Sequence, residues 1–464
     1  MTTPSAPVTP GRFSSAPALV AAVLVAALLG ACAEQGPPRT ALMGATILDG
    51  RGGTPLRDGV VLVRGRTIEA IGPRENVLIP RGTTEIDVSG SWIIPGLIDA
   101  HAHVERWALQ RYVAYGVTTV RDVHNFPDSI FALSEAADLG SGLLSPRIYA
   151  AGAMIDGVPA TYPNATEVTD PRAARQAVDR LSVAGAHLVK AYTRITPELM
   201  EAITDEAETF RIPVAAHLGL TDAVTAAKLG VASIEHLSGV PEAAGRADPL
   251  FAAHRNGFFA GWTAFELSWA TLDSVTLTRL AGQLAESKVT MVPTLVLHEV
   301  FSQLDDTASA ANPDLLALPP GQMAAWNVQG MVERAGWTAA DFAGFRRGRP
   351  MQDLFVRAFR QAGGRVVTGT DAANQMLVPG ASEHTELELL VRAGLTPAQA
   401  LAAATKDAAA LLGADSLGVL TPGMAADLVV LSRDPMADIT NTRSVTRVMV
   451  RGQLILADSI RNRW

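Results

Sequence analysis

Cysteine is almost absent from this chain, since Cys32 is the only one among 464 residues. A single cysteine excludes an intramolecular disulfide, so the folded state must be stabilised by its buried core, and a hydrophobic content of 48% is sufficient for one. Lysine is nearly as scarce, and its complete set is Lys190, Lys228, Lys288 and Lys406. The net charge of −8 argues against a nucleic-acid partner, because phosphate binding needs clustered cations.

Charged side chains are also missing from residues 16–31, near the N-terminus. This apolar run follows Arg12, is short for a membrane span and ends in the sequence Leu-Gly-Ala-Cys, which resembles a bacterial lipoprotein cleavage site. We interpret residues 1–31 as a lipoprotein signal peptide, Cys32 as the lipidated residue and residues 32–40 as a tether. The alternative is an ordinary signal peptide followed by an incidental cysteine.

The lipidated cysteine predicts an extracytoplasmic protein that is attached to a bacterial membrane by its lipid anchor only. Ala33, rather than aspartate, follows the cysteine. By resemblance to other lipoproteins, this favours the periplasmic side of an outer membrane where the cell has two membranes.

Short candidate strands separated by Gly, Pro and Asp turns occur at both ends of the remaining chain. They predict a small β-sandwich domain whose N-terminal part spans residues 41–95 and whose C-terminal part spans residues 416–464. Between them, apolar runs alternate with helices that have clear start signals at Asp170, Thr196 and Thr396.

Eight such strand–helix units predict an α/β fold, a (β/α)8 TIM-type barrel over residues 96–415. The candidate strands are the one that ends near His101 and residues 118–123, 147–151, 188–192, 213–217, 232–236, 289–295 and 366–370. Residues 296–364 are long for a loop and are interpreted as a partly helical cap inserted in the barrel.

Histidine, lysine and aspartate side chains follow the ends of the predicted strands. His101 and His103 are spaced i, i+2, so strand geometry directs both imidazoles to one side, where they can bind one metal ion. Each such residue taken alone is more often a packed or hydrogen-bonded side chain. The complete set indicates a metal-hydrolase centre, because the carboxyl ends of barrel strands meet at one mouth: His101, His103, Lys190, His217, His236 and Asp371.

These motifs resemble those of the amidohydrolase superfamily, particularly its imidazolonepropionase-like and prolidase-like branch. The resemblance covers about residues 41–464 and includes Gly-Leu-Ile-Asp-Ala-His-Ala-His, Ser-Ile-Glu-His, Gly-Thr-Asp and Pro-Gly-Met-Ala-Ala-Asp-Leu. In relatives with a lysine on the fourth strand, that lysine carries a CO₂-derived carbamate and bridges two metals. The resemblance implies one metal on His101, His103 and Asp371, a second on His217 and His236, and carbamylated Lys190 between them.

Carbamylation is needed because a protonated lysine has no lone pair with which to bind a metal. Two divalent ions, with Zn²⁺ favoured, would lower the pKa of a shared water molecule. Asp371 would accept the proton of that water as general base and return it to the leaving nitrogen as general acid.

Further side chains are candidates for contacts with the substrate. Tyr192 lies two residues beyond Lys190 on the same strand face, and a packed rim tyrosine is the alternative. His124, at the end of the second predicted strand, would face the mouth of the barrel, and His384 follows the eighth strand, where an ordinary loop histidine is the alternative. A run of arginines in the predicted cap could bind a substrate carboxylate or simply be solvated: Arg346, Arg347 and Arg349.

The resulting hypothesis is a lipid-anchored, binuclear metal-dependent amidohydrolase that cleaves an amide-type C–N bond. A dipeptide or N-acyl amino acid is the favoured small-molecule substrate, by analogy with the prolidase-like branch. A cyclic-amide hydrolase of the imidazolonepropionase-like kind is one alternative, and a non-catalytic binding lipoprotein is another. Lys190 argues against a mononuclear deaminase. The oligomeric state stays open.

Overall fold

The computed structural model describes residues 1–7, 9, 37–139 and 142–464. Cys32 and the apolar run at residues 16–31 lie outside the described residues. The strands are β1 (Arg39–Ile47), β2 (Leu56–Arg64), β3 (Thr67–Pro73), β4 (Thr84–Asp87), β5 (Trp92–Pro95), β6 (Leu97–Ala102), β7 (Val117–Asp122), β8 (Arg147–Ala150), β9 (Ile155–Asp156), β10 (Thr166–Glu167), β11 (Val189–Ala191), β12 (Val214–Ala216), β13 (Ser233–Glu235), β14 (Thr290–Val292), β15 (Arg365–Val366), β16 (Leu428–Leu431), β17 (Val445–Val450) and β18 (Gln453–Leu456).

Helices alternate with the central strands and fill the segment between β14 and β15. The α-helices are α1 (Leu109–Ala114), α2 (Pro127–Asp138), α3 (Pro171–Val183), α4 (Pro197–Phe210), α5 (Ala223–Lys228), α6 (Ala247–Asn256), α7 (Phe258–Trp269), α8 (Ser274–Glu286), α9 (Leu295–Phe301), α10 (Gln322–Trp326), α11 (Val328–Ala335), α12 (Ala339–Gln361), α13 (Ala381–Arg392), α14 (Pro397–Ala403), α15 (Lys406–Leu411) and α16 (Ala457–Arg461). Among the described residues, no helix is both long enough and apolar enough to cross a bilayer.

The two ends of the chain contribute to one mixed β-sheet. Its strand order is β18-β17-β16-β5-β1-β2-β3, with β4 also paired to β1. The junction between the two ends is the antiparallel pairing of β16 with β5. Fully buried apolar side chains from both ends, such as Leu42, Val61, Ile93 and Leu428, pack in one cluster. Burial of these side chains therefore holds the distant chain ends together.

Eight parallel strands form the barrel. Strands β6, β7 and β8 pair in that order, and so do β11, β12, β13, β14 and β15. Backbone hydrogen bonds join the two groups: the N–H of His187 donates to the Ala150 carbonyl at 2.9 Å, and that of Ala100 donates to the Thr368 carbonyl at 3.0 Å. The predicted fold class, an α/β TIM-type barrel with a small β-domain from both chain ends, is confirmed.

The helices begin at the predicted start signals. The Asp170 side chain accepts a hydrogen bond from the Ala173 N–H at the start of α3, and Thr396 forms a reciprocal capping box with Gln399 at the start of α14. Because each cap satisfies free N–H groups of the first turn, these polar residues determine where the helices begin.

The segment at residues 296–364 is largely helical, containing most of α9 and all of α10, α11 and α12. Helix α12 packs against α7 and α8, which precede β14. Trp337, Phe342 and Phe345 are buried in this contact. Apolar burial thus fixes the insertion beside the mouth of the barrel.

Candidate metal centre

The predicted ligands surround one cavity of about 500 Å³ at the carboxyl ends of the barrel strands. Each comes from the end of β6, β11, β12, β13 or the segment after β15. The lining residues that belong to the predicted set are His101, His103, Lys190, His217, His236 and Asp371.

His101, His236 and Asp371 form the most compact part of this set. One donor atom from each lies within 4.8 Å of the others. The Asp371 Oδ1 atom is 3.2 Å from His101 Nε2 and 3.0 Å from His103 Nε2. Two imidazoles and a carboxylate at this spacing offer a divalent cation the N and O donors it requires.

His217 lies beside His236, with 4.7 Å between the two ring centroids. Burial lowers the pKa of each imidazole well below its ordinary value, and nearby cationic groups lower this pKa further. Both rings are therefore neutral at neutral pH, the form in which histidine binds a metal. The Thr294 hydroxyl is 2.7 Å from His236 Nδ1, which leaves Nε2 free for a ligand bond.

Lys190 is almost completely buried, and its Nζ atom has no hydrogen-bond partner among the residues that the structure describes. Burial lowers the pKa of Lys190 to about 8. An unpaired buried ammonium is costly, whereas a neutral amine can react with CO₂ to form a carbamate. The unpartnered amine and the surrounding donors are compatible with two cations bridged by a lysine carbamate.

Backbone strain and close packing fix the cluster. His236, Thr294 and Asp371 have left-handed φ angles of 59°, 46° and 59°, a conformation that side chains other than glycine rarely adopt. The chain after β15 also passes very close to β6, because a Cβ atom on Gly369 would lie 2.7 Å from the His101 Cβ. Glycine at this position therefore lets Asp371 approach His101.

A buried ion network behind His101 was not predicted from the sequence. The Glu235 Oε2 atom is 2.5 Å from His101 Nδ1, and Arg121 Nη2 donates to both carboxylate oxygens at 2.9 and 3.0 Å. A Glu235 carboxylate that accepts the Nδ1 proton leaves His101 Nε2 unprotonated for a metal. Charged residues inside the apolar strands β7 and β13 were the signal that could have revealed this network.

Replacement of Glu235 by glutamine is expected to weaken metal binding by about 10–100-fold, because an amide holds the His101 tautomer less firmly than a carboxylate does. Competition with a chelator measures the metal affinity, and thermal unfolding of the metal-free protein verifies that the variant folds. Glu333→Gln, an exposed change on α11, is the matched control. Unchanged affinity in Glu235→Gln would refute this role.

The candidates for substrate contacts have different outcomes. Tyr192 lines the cavity and packs its ring edge-on against His217, with 4.9 Å between the centroids. His124 also lines the cavity, but its ring nitrogens contact Asn164 Oδ1 at 2.9 Å and the Met154 N–H at 3.1 Å. The His124 carbonyl lies 3.3 Å from His103 Nδ1, so this residue is placed to orient a predicted ligand.

The structure does not bring His384 to the cavity, contrary to the prediction. Its ring is fully buried in α13, 3.0 Å from the Thr442 hydroxyl and 2.9 Å from the Tyr115 carbonyl. Both ring nitrogens are thus engaged by protein groups. The helix, rather than the predicted loop, points this side chain into the contact between the barrel and the C-terminal segment.

The predicted arginine clamp is also not formed. Arg346 pairs with Asp305 at 2.6 Å, and Arg349 pairs with Glu299 at 3.2 Å, so both guanidinium groups neutralise acids within the insertion. Arg347 is exposed and is not among the cavity-lining residues. A different arginine of the insertion, Arg334 on α11, lines the cavity.

Residues 92–455 match the Amidohydrolase family. The chain belongs to this family. Imidazolonepropionase of Pseudomonas putida is 27% identical over 423 residues, which cover 85% of this chain and 92% of the relative. Imidazolonepropionase of Cereibacter sphaeroides is 26% identical over 415 residues, with 85% and 93% covered. A putative prolidase from Bifidobacterium longum superposes with a TM-score of 0.68 at 25% identity, covering 92% of this chain and 99% of the prolidase.

Family membership and the His/His/Asp cluster together make this amidohydrolase a metal-binding hydrolase that acts on carbon–nitrogen bonds. The predicted resemblance to the imidazolonepropionase-like and prolidase-like branch is confirmed. The roles of the individual site residues stay predictions.

Proposed function

We propose that this amidohydrolase is a binuclear enzyme that hydrolyses an amide bond in a dipeptide or an N-acyl amino acid. The observation that carries the proposal is the buried, unpartnered amine of Lys190 among four histidines and an aspartate at one cavity. A mononuclear site has no need of a lysine at this position, whereas a lysine carbamate supplies two oxygens that can join two cations.

The ligand residues would divide as the resemblance implies: His101, His103 and Asp371 around one ion, His217 and His236 around the other, and carbamylated Lys190 between them. Divalent ions bound there, with Zn²⁺ favoured, would polarise the amide carbonyl and make water more acidic.

Asp371 is the side chain that we expect to move the proton. Burial alone would raise the pKa of Asp371, but the contacts with the His101 and His103 imidazoles lower it well below its ordinary value. The carboxylate is therefore charged at neutral pH and can accept a proton from attacking water and donate it to the leaving nitrogen. Tyr192, on the same wall, would donate its hydroxyl to the substrate carbonyl or carboxylate.

Removal of the metal is expected to abolish turnover, and restoration should require both Zn²⁺ and bicarbonate, because carbamylation consumes CO₂. Hydrolysis of a dipeptide and N-acyl amino acid library is measured before chelation, after chelation and after reconstitution. Full turnover by protein shown to be free of metal would contradict the proposal, and reconstitution without any bicarbonate or CO₂ would contradict the carbamate.

A cyclic-amide hydrolase is a second candidate, favoured by the imidazolonepropionase relatives that align over 85% of the chain. Ring opening of imidazolone- and hydantoin-like compounds, assayed beside the linear amides, separates the two. Faster turnover of the cyclic compounds would make this second candidate the function.

We further propose that Cys32 carries a lipid that anchors the enzyme outside the cytoplasm, on the periplasmic face of an outer membrane where the cell has two. Cys32→Ser is expected to release the enzyme from the membrane fraction without changing its specific activity. Mass spectrometry of the mature N-terminus tests this directly, since an unmodified Cys32 would exclude the anchor.

A further inference from the structure

Aromatic side chains dominate the cavity wall beyond the predicted metal ligands. Phe258 stacks on Tyr192 and on Trp262, with ring centroids 6.3 Å apart in both pairs. Helix α7 and the insertion supply five of the seven aromatic lining residues, and the other two, Tyr162 and Tyr192, come from the loops after β9 and β11. The aromatic lining residues are Tyr162, Tyr192, Phe258, Phe259, Trp262, Phe301 and Trp337.

One of these residues, Trp262, contributes its ring but not its N–H group to the cavity wall. Trp262 is buried, and its indole Nε1 has no hydrogen-bond partner in the described part of the chain. Because that nitrogen atom is itself buried, Trp262 offers a ligand apolar contact rather than a hydrogen-bond donor. The wall is thus suited to an apolar group.

Arg334 gives the cavity its charge outside the predicted metal centre. Apart from the predicted ligands and His124, Arg334 is the described lining residue that has a cationic side chain. Arg346 and Arg349 of the same insertion are paired with acids, whereas the exposed guanidinium of Arg334 has no hydrogen bond or ion pair with any described residue. A free guanidinium at a cavity is well suited to bind a carboxylate through two parallel hydrogen bonds.

We propose that the substrate is an amino acid that carries an apolar N-acyl group, with its free carboxylate at Arg334 and its acyl group against Phe258 and Trp262. This inference rests on the proposed hydrolysis and chooses between its two substrate classes. A cavity of about 500 Å³ is large enough for such a molecule. An apolar acyl group matches the aromatic part of the wall, and acylation removes the α-ammonium that a free dipeptide would have to desolvate.

The reaction is a simple hydrolysis. Water adds to the acyl carbon, the bond from that carbon to nitrogen breaks, and a proton passes to the nitrogen. The products are a carboxylic acid and a free amino acid, and no oxidant or other co-reactant is consumed.

The test compares substrates that differ in a single group. The best substrate from a panel of N-benzoyl amino acids is assayed beside its N-methylamide, which lacks the carboxylate, and beside its N-acetyl counterpart, which lacks the ring. Arg334→Ala is expected to raise KM for the carboxylate substrate about tenfold or more and to change its kcat less than about twofold. The KM and kcat for the N-methylamide should also change less than about twofold. Phe258→Ala is expected to reduce the preference for benzoyl over acetyl by about tenfold.

Arg279→Ala, an exposed change on α8 outside the cavity, is the matched control and should leave all constants unchanged. Equal effects of Arg334→Ala on the carboxylate and the N-methylamide, or no effect on either, would overturn the carboxylate site. Faster hydrolysis of free dipeptides than of their N-benzoyl forms would overturn the choice of substrate class.

Calorimetry separates this inference from the proposed hydrolysis. An N-benzenesulfonyl amino acid cannot be hydrolysed in the same way, and its binding to the wild-type protein should weaken about tenfold in Arg334→Ala. Binding that depends on Arg334 in a protein that hydrolyses no amide would retain the carboxylate site and reject the reaction. Hydrolysis of amides, together with binding that does not depend on Arg334, would retain the reaction and reject the carboxylate site.

Discussion

Replacement of Asp371 by asparagine is expected to lower kcat by about 10²–10⁴-fold, the range typical for loss of a positioned general acid–base. The amide preserves the shape of the carboxylate and keeps an oxygen at the position of Oδ1, 3.2 and 3.0 Å from His101 Nε2 and His103 Nε2. It cannot take up a proton from water at neutral pH. Steady-state kinetics at saturating substrate, on protein with its metal content measured, reports the loss.

A matched change shows whether the effect belongs to the site. Asp248→Asn alters an exposed aspartate on α6 in the same way and should leave kcat unchanged. If Asp371→Asn retained turnover within tenfold of the wild type at equal metal content, the proposed role of this carboxylate as general base and general acid would be wrong.

Replacement of Lys190 by alanine is expected to remove at least one metal per chain and to lower kcat/KM on the order of 10²–10³-fold, because a bound cation contributes several kcal/mol of transition-state stabilisation. The variant also leaves a space where the buried side chain lay. Formate, acetate or propionate can enter such a space and supply two carboxylate oxygens. We therefore expect these anions to restore part of the metal content and part of the turnover.

Lys228→Ala serves as the control, since Lys228 is an exposed lysine at the end of α5. Elemental analysis and kinetics with and without the carboxylates are measured on both variants. Normal metal content and normal turnover in Lys190→Ala would show that the lysine is a structural residue and that the bridging carbamate does not exist.

The barrel and the convergence of the six side chains could be predicted because both follow from local patterns. Strand-length apolar runs alternate with capped helices, and each candidate ligand lies at the end of such a run. The predicted strand at residues 366–370 is shorter in the structure, where β15 ends at Val366. Asp371 then adopts a left-handed φ, a departure from strand geometry that periodicity does not reveal.

The parts that could not be predicted depend on contacts between distant segments. Arg121 and Glu235 are 114 residues apart, and their pairing requires the barrel to be closed. His384 was placed wrongly because its partner Thr442 lies in the C-terminal segment. The aromatic wall from α7 and the position of Arg334 on α11 depend on how two irregular segments fold over the mouth, for which the sequence provides no periodic signal.

The most direct test is anomalous X-ray scattering from crystals of the protein grown with Zn²⁺ and bicarbonate. Two zinc peaks are predicted in the cavity, one beside His101, His103 and Asp371 and the other beside His217 and His236, with continuous electron density extending from Lys190 Nζ to both. A single zinc ion next to an unmodified Lys190 would contradict the binuclear centre.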